Sequence, residues 1–129
     1  MNSHPRVLLV DDDGDLLEVY TLVLEDMGCV VTTARDGQEG LARALAQRPD
    51  LIITDLNMPR MNGLELCQRL REDEFLRFVP RILHSSEPLF RAPYGEVFLQ
   101  KDGDLAGFQY RVALSLRGGR DGPELASVA

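Results

Sequence analysis

The alternation of short apolar runs with segments of helically spaced apolar residues is the feature that most constrains this fold. Residues 7–10 and 51–53 are apolar at every position, as strands are when helices cover both faces of their sheet. Strands that alternate with helices are typical of right-handed βαβ units, which build parallel sheets. The pattern therefore predicts an α/β fold, an open three-layer sandwich around a five-stranded parallel sheet.

The same pattern predicts where the elements lie. The first helix carries apolar residues at helical spacing up to Met27, and Gly28 is expected to end it. The second is expected to begin at a capping box of Asp36 and Glu39 and to end near Gln47, ahead of Pro49. Strands are predicted at residues 7–10, 29–33, 51–54, 80–84 and 96–100.

Two further helices complete the predicted set. The third is a short helix that follows a loop rich in Pro and Gly, and it carries apolar residues between Leu64 and Leu70. The last is predicted at residues 104–116, ended by Gly118 and Gly119. One apolar face of this last helix is expected to comprise Leu105, Phe108, Val112 and Leu116.

Length and hydrophobic content predict one domain. The chain has 129 residues, of which 44% are hydrophobic, enough for a core without disulfides or metal. We expect an N-terminal tail at residues 1–5, a folded domain at 6–117 and a flexible tail at 118–129.

Charge and cysteine content exclude several classes of function. The net charge of −7 argues against binding to nucleic acid or to an anionic membrane surface. Cys29 and Cys67 have no C-x-x-C partner, so neither a zinc site nor a disulfide is predicted, and both are expected to be buried thiols. The apolar run at residues 7–10 is too short for a signal peptide or a membrane span. A soluble cytoplasmic protein is expected.

Aspartates follow two of the predicted strands. Asp11, Asp12 and Asp13 come directly after the first strand, and Asp55 comes directly after the third. The carboxyl ends of parallel strands meet at one edge of a sheet, where ligands bind in folds of this kind. Carboxylates brought together there repel one another unless a cation neutralises them, and an all-oxygen site suits Mg2+. The sequence therefore predicts a magnesium site linked to phosphate chemistry.

At this point the sequence resembles the receiver domains of two-component response regulators, the CheY-like proteins. The resemblance covers residues 6 to about 117, and its motifs are the segments 7–13 and 51–63, Ser85 after the fourth strand and Lys101 after the fifth. It implies a flavodoxin-like sheet with strand order 2-1-3-4-5. It also implies a phosphorylation switch in the family's manner, not an enzyme in the ordinary sense.

The resemblance assigns roles to the acidic residues. Asp55 matches the phosphoacceptor, whose carboxylate forms an acyl phosphate. Asp12 matches a direct Mg2+ ligand, Asp11 a ligand through water, and Asn57 would offer its backbone carbonyl. Phosphoryl transfer depends on such positioning and charge neutralisation.

The remaining family positions lie at the ends of the fourth and fifth strands. Ser85 matches the hydroxyl that binds the phosphoryl group and moves with it, although Ser86 beside it leaves the alignment open by one residue. Lys101, the sole lysine among 14 basic residues, matches the phosphate-binding ammonium, for which a compact charge is suited. Phe98 matches the aromatic residue of the switch, and a buried strand residue is an equal alternative.

The sequence departs from the family pattern in two places. Residues 86–95 are too few, and contain too many Pro and Gly residues, for a helix of ordinary length. The family's fourth helix is therefore expected to be missing or reduced, which puts its usual output surface in doubt. Asp102 also stands where Pro commonly follows the family's lysine.

Three functions remain to be compared. The leading hypothesis is a stand-alone switch that a histidine kinase or a histidine phosphotransfer protein phosphorylates. Its target is expected to be a downstream protein, and its oligomeric state a monomer or weak dimer. The alternatives are a receiver-fold scaffold that acts without phosphorylation and an aspartate-nucleophile phosphohydrolase, against which Asn57 argues. The resemblance also implies that Asn57 and Glu87 tune hydrolysis of the phosphoryl group.

Overall fold

The described residues form a five-stranded parallel sheet, as the alternating pattern predicts. The computed structural model of the chain describes residues 4–87 and 96–121. In this part of the chain the strands pair in the order β2-β1-β3-β4-β5, and every pairing is parallel. The strands are β1 (Arg6–Val10), β2 (Val30–Ala34), β3 (Leu51–Thr54), β4 (Arg81–Ser85) and β5 (Val97–Gln100).

Helices cover both faces of the sheet. Within the described ranges they are α1 (Gly14–Asp26), α2 (Gly37–Ala46), α3 (Gly63–Glu72) and α4 (Leu105–Asp121). None of these helices is long and apolar enough to cross a lipid bilayer. Residues 88–95, to which the prediction of a missing or reduced helix mainly refers, lie outside the described residues.

The two faces of the sheet carry separate hydrophobic cores. Alternate residues of β1 point to opposite faces, so that Val7 and Leu9 enter one core and Leu8 and Val10 the other. The first core contains side chains of α1 and α4, and the second contains side chains of α3 and Ala44 of α2. Cys29 and Cys67 are buried free thiols, as expected.

Polar caps fix the helix starts near the carboxyl edge of the sheet. Asp13 caps α1, Asp36 caps α2, and Asn62 forms a capping box with Glu65 at the start of α3. The predicted box at α2 is only half present, because Glu39 accepts a hydrogen bond from the backbone N–H of Arg35 and not from that of Asp36. These three helices thus begin at the edge where the aspartates lie.

Helix ends match the predictions at α1 and differ from them at α4. Gly28 follows the last residues of α1 with a φ of 90°, a conformation that glycine adopts without steric cost. α4 instead continues through Gly118 and Gly119 to Asp121, four residues into the expected tail. Glycine in a helix costs only about 1 kcal/mol and keeps its N–H donor.

The apolar face of α4 is shorter than predicted. Phe108, Val112 and Leu116 are buried in the first core, but Leu105 is 42% exposed. Leu105 is the first residue of α4, one turn before Phe108, and the helix meets the core only from Phe108 onward.

Candidate functional site

The register of the central strands brings the two sets of aspartates to one edge of the sheet. Val10 is paired with Thr54, so Asp11 and Asp55 leave β1 and β3 at the same level. The backbone N–H of Asp55 donates to the carbonyl of Val10 at 2.8 Å. Carboxylate oxygens of Asp11, Asp12 and Asp55 lie within 4.8 Å of one another. The convergence expected from the sequence is thus present in the fold.

The aspartates of the 11–13 run differ in environment. Asp11 is buried, whereas Asp12 and Asp13 are exposed. Oδ1 of Asp13 accepts hydrogen bonds from the N–H groups of Asp15 and Leu16, which caps α1. Asp13 therefore has a local structural role, and Asp11 and Asp12 are the members of the run that face Asp55.

Lys101 reaches the acidic cluster from the end of β5. Its Nζ lies 2.7 Å from Oδ2 of Asp11 and 3.2 Å from Oδ1 of Asp55. The backbone N–H of Lys101 donates to the carbonyl of Ser85 at 2.8 Å, which fixes the level of the lysine on the sheet edge. The ammonium bridges the two partly or wholly buried carboxylates.

Burial and charge shift the pKa values at this edge. Burial raises the pKa of Asp55 and the neighbouring Asp11 raises it further, while Lys101 offsets part of the increase. Burial alone would lower the pKa of Lys101, but its hydrogen bond to Asp11 and the two carboxylate charges outweigh that and raise it. The lysine is therefore held in its charged form.

The donor set fits a hard divalent cation. All ligand atoms of the cluster are carboxylate oxygens, which Mg2+ prefers. Three carboxylates and the ammonium of Lys101 leave a net charge of about two negative units, which a divalent cation balances. Asp12 and Asp55 are not fully buried, so an ion can enter from solvent.

The carboxylate of Asp55 is held by its own loop. Oδ1 of Asp55 accepts a hydrogen bond from the backbone N–H of Leu56 at 2.8 Å. A Cβ atom at Gly63 would lie 2.1 Å from the carbonyl oxygen of Asp55, so only glycine permits this approach. The loop thus closes tightly behind the candidate phosphoacceptor.

The adjacent serines Ser85, the last residue of β4, and Ser86, the first after it, occupy different environments. The side chain of Ser85 is buried, and its Oγ accepts a hydrogen bond from the backbone N–H of Glu87 at 3.1 Å. Ser86 instead lines the shallow cavity of about 440 Å³ that contains Asp11, Asp55 and Lys101. The structure therefore leaves both serines as candidates for the phosphoryl-binding hydroxyl.

The remaining predicted residues lie in two loops and on β5. Asn57 and Glu87 are exposed in the loops that follow β3 and β4. Phe98 is partly buried on β5, in register with Leu83 of β4. None of the three lines the cavity among the described residues.

Sequence reasoning missed an aromatic group beside the cluster. Tyr20, one of the residues at helical spacing in the first helix, is buried in the first core and also lines the cavity. The centroid of its ring lies 4.9 Å from that of His84, which it meets edge-on, and 4.6 Å from that of Phe108. Burial, with a smaller effect of Lys101, lowers the pKa of His84 to about 4. The available signal was a histidine directly after the apolar pair at residues 82–83 of β4.

The chain is similar in sequence to a known family and to characterised regulators. A family model described as response regulator receiver domain matches residues 7–88. A DNA-binding dual master transcriptional regulator, RpaA of Synechocystis, is 40% identical over 79 residues, which are 61% of this chain and 33% of that protein. The alkaline phosphatase synthesis regulator PhoP of Bacillus subtilis is 37% identical over 71 residues, 55% of this chain and 30% of that protein. The chain thus matches about a third of the length of these relatives.

Solved structures extend the similarity over most of the chain. The chemotaxis protein CheY4 of Vibrio cholerae is 30% identical with a TM-score of 0.81, covering 87% of this chain and 98% of that one. The receiver domain of a Pseudomonas aeruginosa sensor histidine kinase, described with a magnesium ion in its active-site cleft, is 25% identical. Its TM-score is 0.80, and the match covers 88% of this chain and 98% of that one. The sheet order 2-1-3-4-5 is therefore that of the CheY-like, flavodoxin-like fold.

Proposed function

Because this chain belongs to the response regulator receiver domain family, we propose that it is a phosphorylation-dependent signalling switch whose acceptor is Asp55. The observation that carries the proposal is the position of Asp55. It follows a central strand, lies within 4.8 Å of two further aspartates and is paired with Lys101 at 3.2 Å. The carboxylate thus lines the open cavity, beside two carboxylates suited to a divalent cation and an ammonium suited to a phosphoryl oxygen.

The proposed transfer uses the side chains of the cluster. An oxygen of Asp55 attacks phosphorus, the bond from phosphorus to the donor nitrogen or oxygen breaks, and the donor leaves with the electron pair. Asp11, Asp12, Asp55 and the backbone carbonyl of Asn57 would hold Mg2+, which neutralises charge on the phosphoryl oxygens when bound. A magnesium ion in the related Pseudomonas receiver domain supports this assignment.

Lys101 and a serine hydroxyl complete the proposed site. Lys101 is ion-paired with both Asp11 and Asp55, and its ammonium would exchange part of this contact for a phosphoryl oxygen. We assign the switch hydroxyl to Ser85, at the end of β4, and the coupled aromatic residue to Phe98. Exposed polar groups at Asn57 and Glu87 would orient the water that hydrolyses the acyl phosphate and returns Asp55 and inorganic phosphate.

The proposed function also implies protein partners and a cellular compartment. The donor would be a histidine kinase or a histidine phosphotransfer protein, and the output would be a contact with a downstream protein. We propose a monomer or weak dimer in the cytoplasm, where the buried free thiols Cys29 and Cys67 remain reduced.

Phosphoryl labelling tests the function directly. Incubation with acetyl phosphate and Mg2+ should add one base-labile phosphoryl group to the wild type, detected by intact mass, and none to Asp55→Asn. Asp13→Asn is the matched control: it removes a carboxylate from the same edge, but asparagine preserves the cap of α1, so labelling should continue. A wild type that is never labelled, or an Asp55→Asn variant that is, contradicts the proposal.

A further inference from the structure

The loop between β3 and α3 is tied to the start of α2 by an ion pair that the proposed function does not use. Arg60 donates from Nε to Oδ2 of Asp36 at 2.9 Å and makes a second bond from Nη2 to the same oxygen. The side chain of Asp36 is 6% exposed and that of Arg60 is 61% exposed. The guanidinium thus covers a buried carboxylate.

The two oxygens of Asp36 have different partners. Oδ1 accepts from the backbone N–H of Glu39 at 2.8 Å, which is the cap of α2. Oδ2 is bound by Arg60. These two interactions, the cap first, lower the pKa of Asp36. The contact with Arg60 is therefore additional to what a helix cap requires.

Arg60 has a backbone conformation that its residue type disfavours. Its φ of 66° makes it the one non-glycine residue with positive φ among those described. Side chains other than glycine enter this region at a steric cost and stay there when neighbouring contacts hold them. The pair with Asp36 is such a contact.

Close backbone packing beside the ion pair joins the loop to α2. The N–H of Gly37 donates to the carbonyl of Met61 at 3.0 Å. A Cβ atom at Gly37 would clash with that carbonyl oxygen, so the loop can approach α2 this closely only because residue 37 is glycine.

The other end of the same loop holds Asp55. The N–H of Leu56 donates to Oδ1 of Asp55, and the N–H of Gly63 donates to the carbonyl of Leu56 at 2.8 Å. The loop is therefore fixed at one end to the candidate phosphoacceptor and near its other end, through Arg60 and Met61, to α2.

We propose that Arg60 is a positioning residue for phosphoryl transfer, because its pair with Asp36 holds the loop of residues 56–62 that orients the Asp55 carboxylate. This inference rests on the proposed function. It concerns how the acceptor is aligned, not the binding of the donor.

The test compares variants at Arg60 in the rate of labelling by acetyl phosphate at saturating Mg2+. Arg60→Gly removes the ion pair without adding steric strain, because glycine adopts the positive φ freely. Asp36→Asn, which leaves the loop backbone unchanged, controls for the added conformational freedom of glycine. For Arg60→Gly we expect a maximal rate about tenfold lower, with the half-saturating donor concentration unchanged. A misplacement of about 1 Å can cost on the order of 100-fold, and the effect should be smaller here because the N–H of Leu56 still binds Asp55. Arg60→Lys should recover part of the rate.

Two further variants separate the ion pair from general effects. Asp36→Asn keeps a side-chain oxygen for the cap but removes the charge that Arg60 binds, without altering the loop sequence. It should slow labelling, and combining it with Arg60→Gly should be no slower than the slower single variant. Arg69→Ala, which removes an exposed arginine of α3, should label at the wild-type rate.

Amide exchange in protein free of Mg2+ gives a readout independent of labelling. We expect loss of protection at residues 56–62 in both Arg60→Gly and Asp36→Asn. Labelling within twofold of wild type, or a slower rate without loss of protection, would overturn the positioning role. An unlabelled wild type would overturn the proposed function instead, and the exchange measurement would still decide whether Arg60 holds the loop.

Discussion

Replacing Lys101 by methionine should destabilise the protein in the absence of Mg2+. Methionine preserves most of the length and apolar volume of the side chain but removes the ammonium. The carboxylates of Asp11 and Asp55, at 2.7 and 3.2 Å from Nζ, would then face each other without a counterion. The change isolates the charge of Lys101 from its packing.

The size of the effect follows from these distances and from burial. Two unit charges 3 Å apart attract by about 5.5 kcal/mol at an effective dielectric constant of about 20. The cost of burying the ammonium, whose side chain is 13% exposed, offsets part of this attraction. Loss of one partner of a buried pair costs about 3–5 kcal/mol, and we expect the lower value because Asp55 can take up a proton. For a domain of this size that is a fall in Tm of about 10 °C.

Urea and thermal unfolding in EDTA measure this loss. Arg117→Met is the control, since it removes an exposed charge from α4 and should change stability by less than about 0.5 kcal/mol. Added Mg2+ should reduce the deficit of Lys101→Met, because a divalent cation also neutralises the carboxylates. A Lys101→Met variant as stable in EDTA as Arg117→Met would refute the view that Lys101 offsets the acidic cluster.

Two other predictions concern pH and Mg2+. The pKa of His84 is about 4 in the fold against about 6.5 in an unfolded chain, so the unfolded state binds the proton first as pH falls and about 3 kcal/mol of stability should be lost between these values. Unfolding curves of His84→Leu should lack this loss, and an unchanged pH dependence would contradict the argument. Mg2+ at 100 times its Kd should stabilise the wild type by about 2.7 kcal/mol. This gain, measured calorimetrically, should be largely absent in Asp12→Asn, and an equal gain there would remove Asp12 from the site.

The sheet could be predicted because its determinants are local. The apolar run of residues 51–53 is buried in β3, and parallel pairing then dictates that Asp11 and Asp55 share an edge. Element ends were less predictable. The glycines after Leu116 resemble a helix stop, but the chain continues helically to Asp121, since glycine weakens a helix without removing a hydrogen bond.

The contacts around the site depend on distant parts of the chain. Arg60 and Asp36 are 24 residues apart, and nothing in the local pattern at either position indicates the other. The contact between Tyr20 of α1 and His84 of β4 was unpredictable for the same reason. Lys101 was accessible from sequence only because composition and the family resemblance pointed to the same residue. Ser85 and Ser86 are adjacent and chemically identical, so the sequence assigns the switch hydroxyl to Ser85 only through the expected register of β4, with Ser86 as the alternative.

The arrangement of Lys101 also has a practical use. It is the only primary amine on any side chain of the sequence, and its ammonium is held protonated between two carboxylates. Amine-reactive reagents modify the neutral amine, so they should attach first to the N-terminal amine, whose ordinary pKa is about 8. Attachment of a second label would then report that the ammonium of Lys101 has left the carboxylates of Asp11 and Asp55. Chemical labelling of the wild-type sequence would therefore detect a change in the acidic cluster.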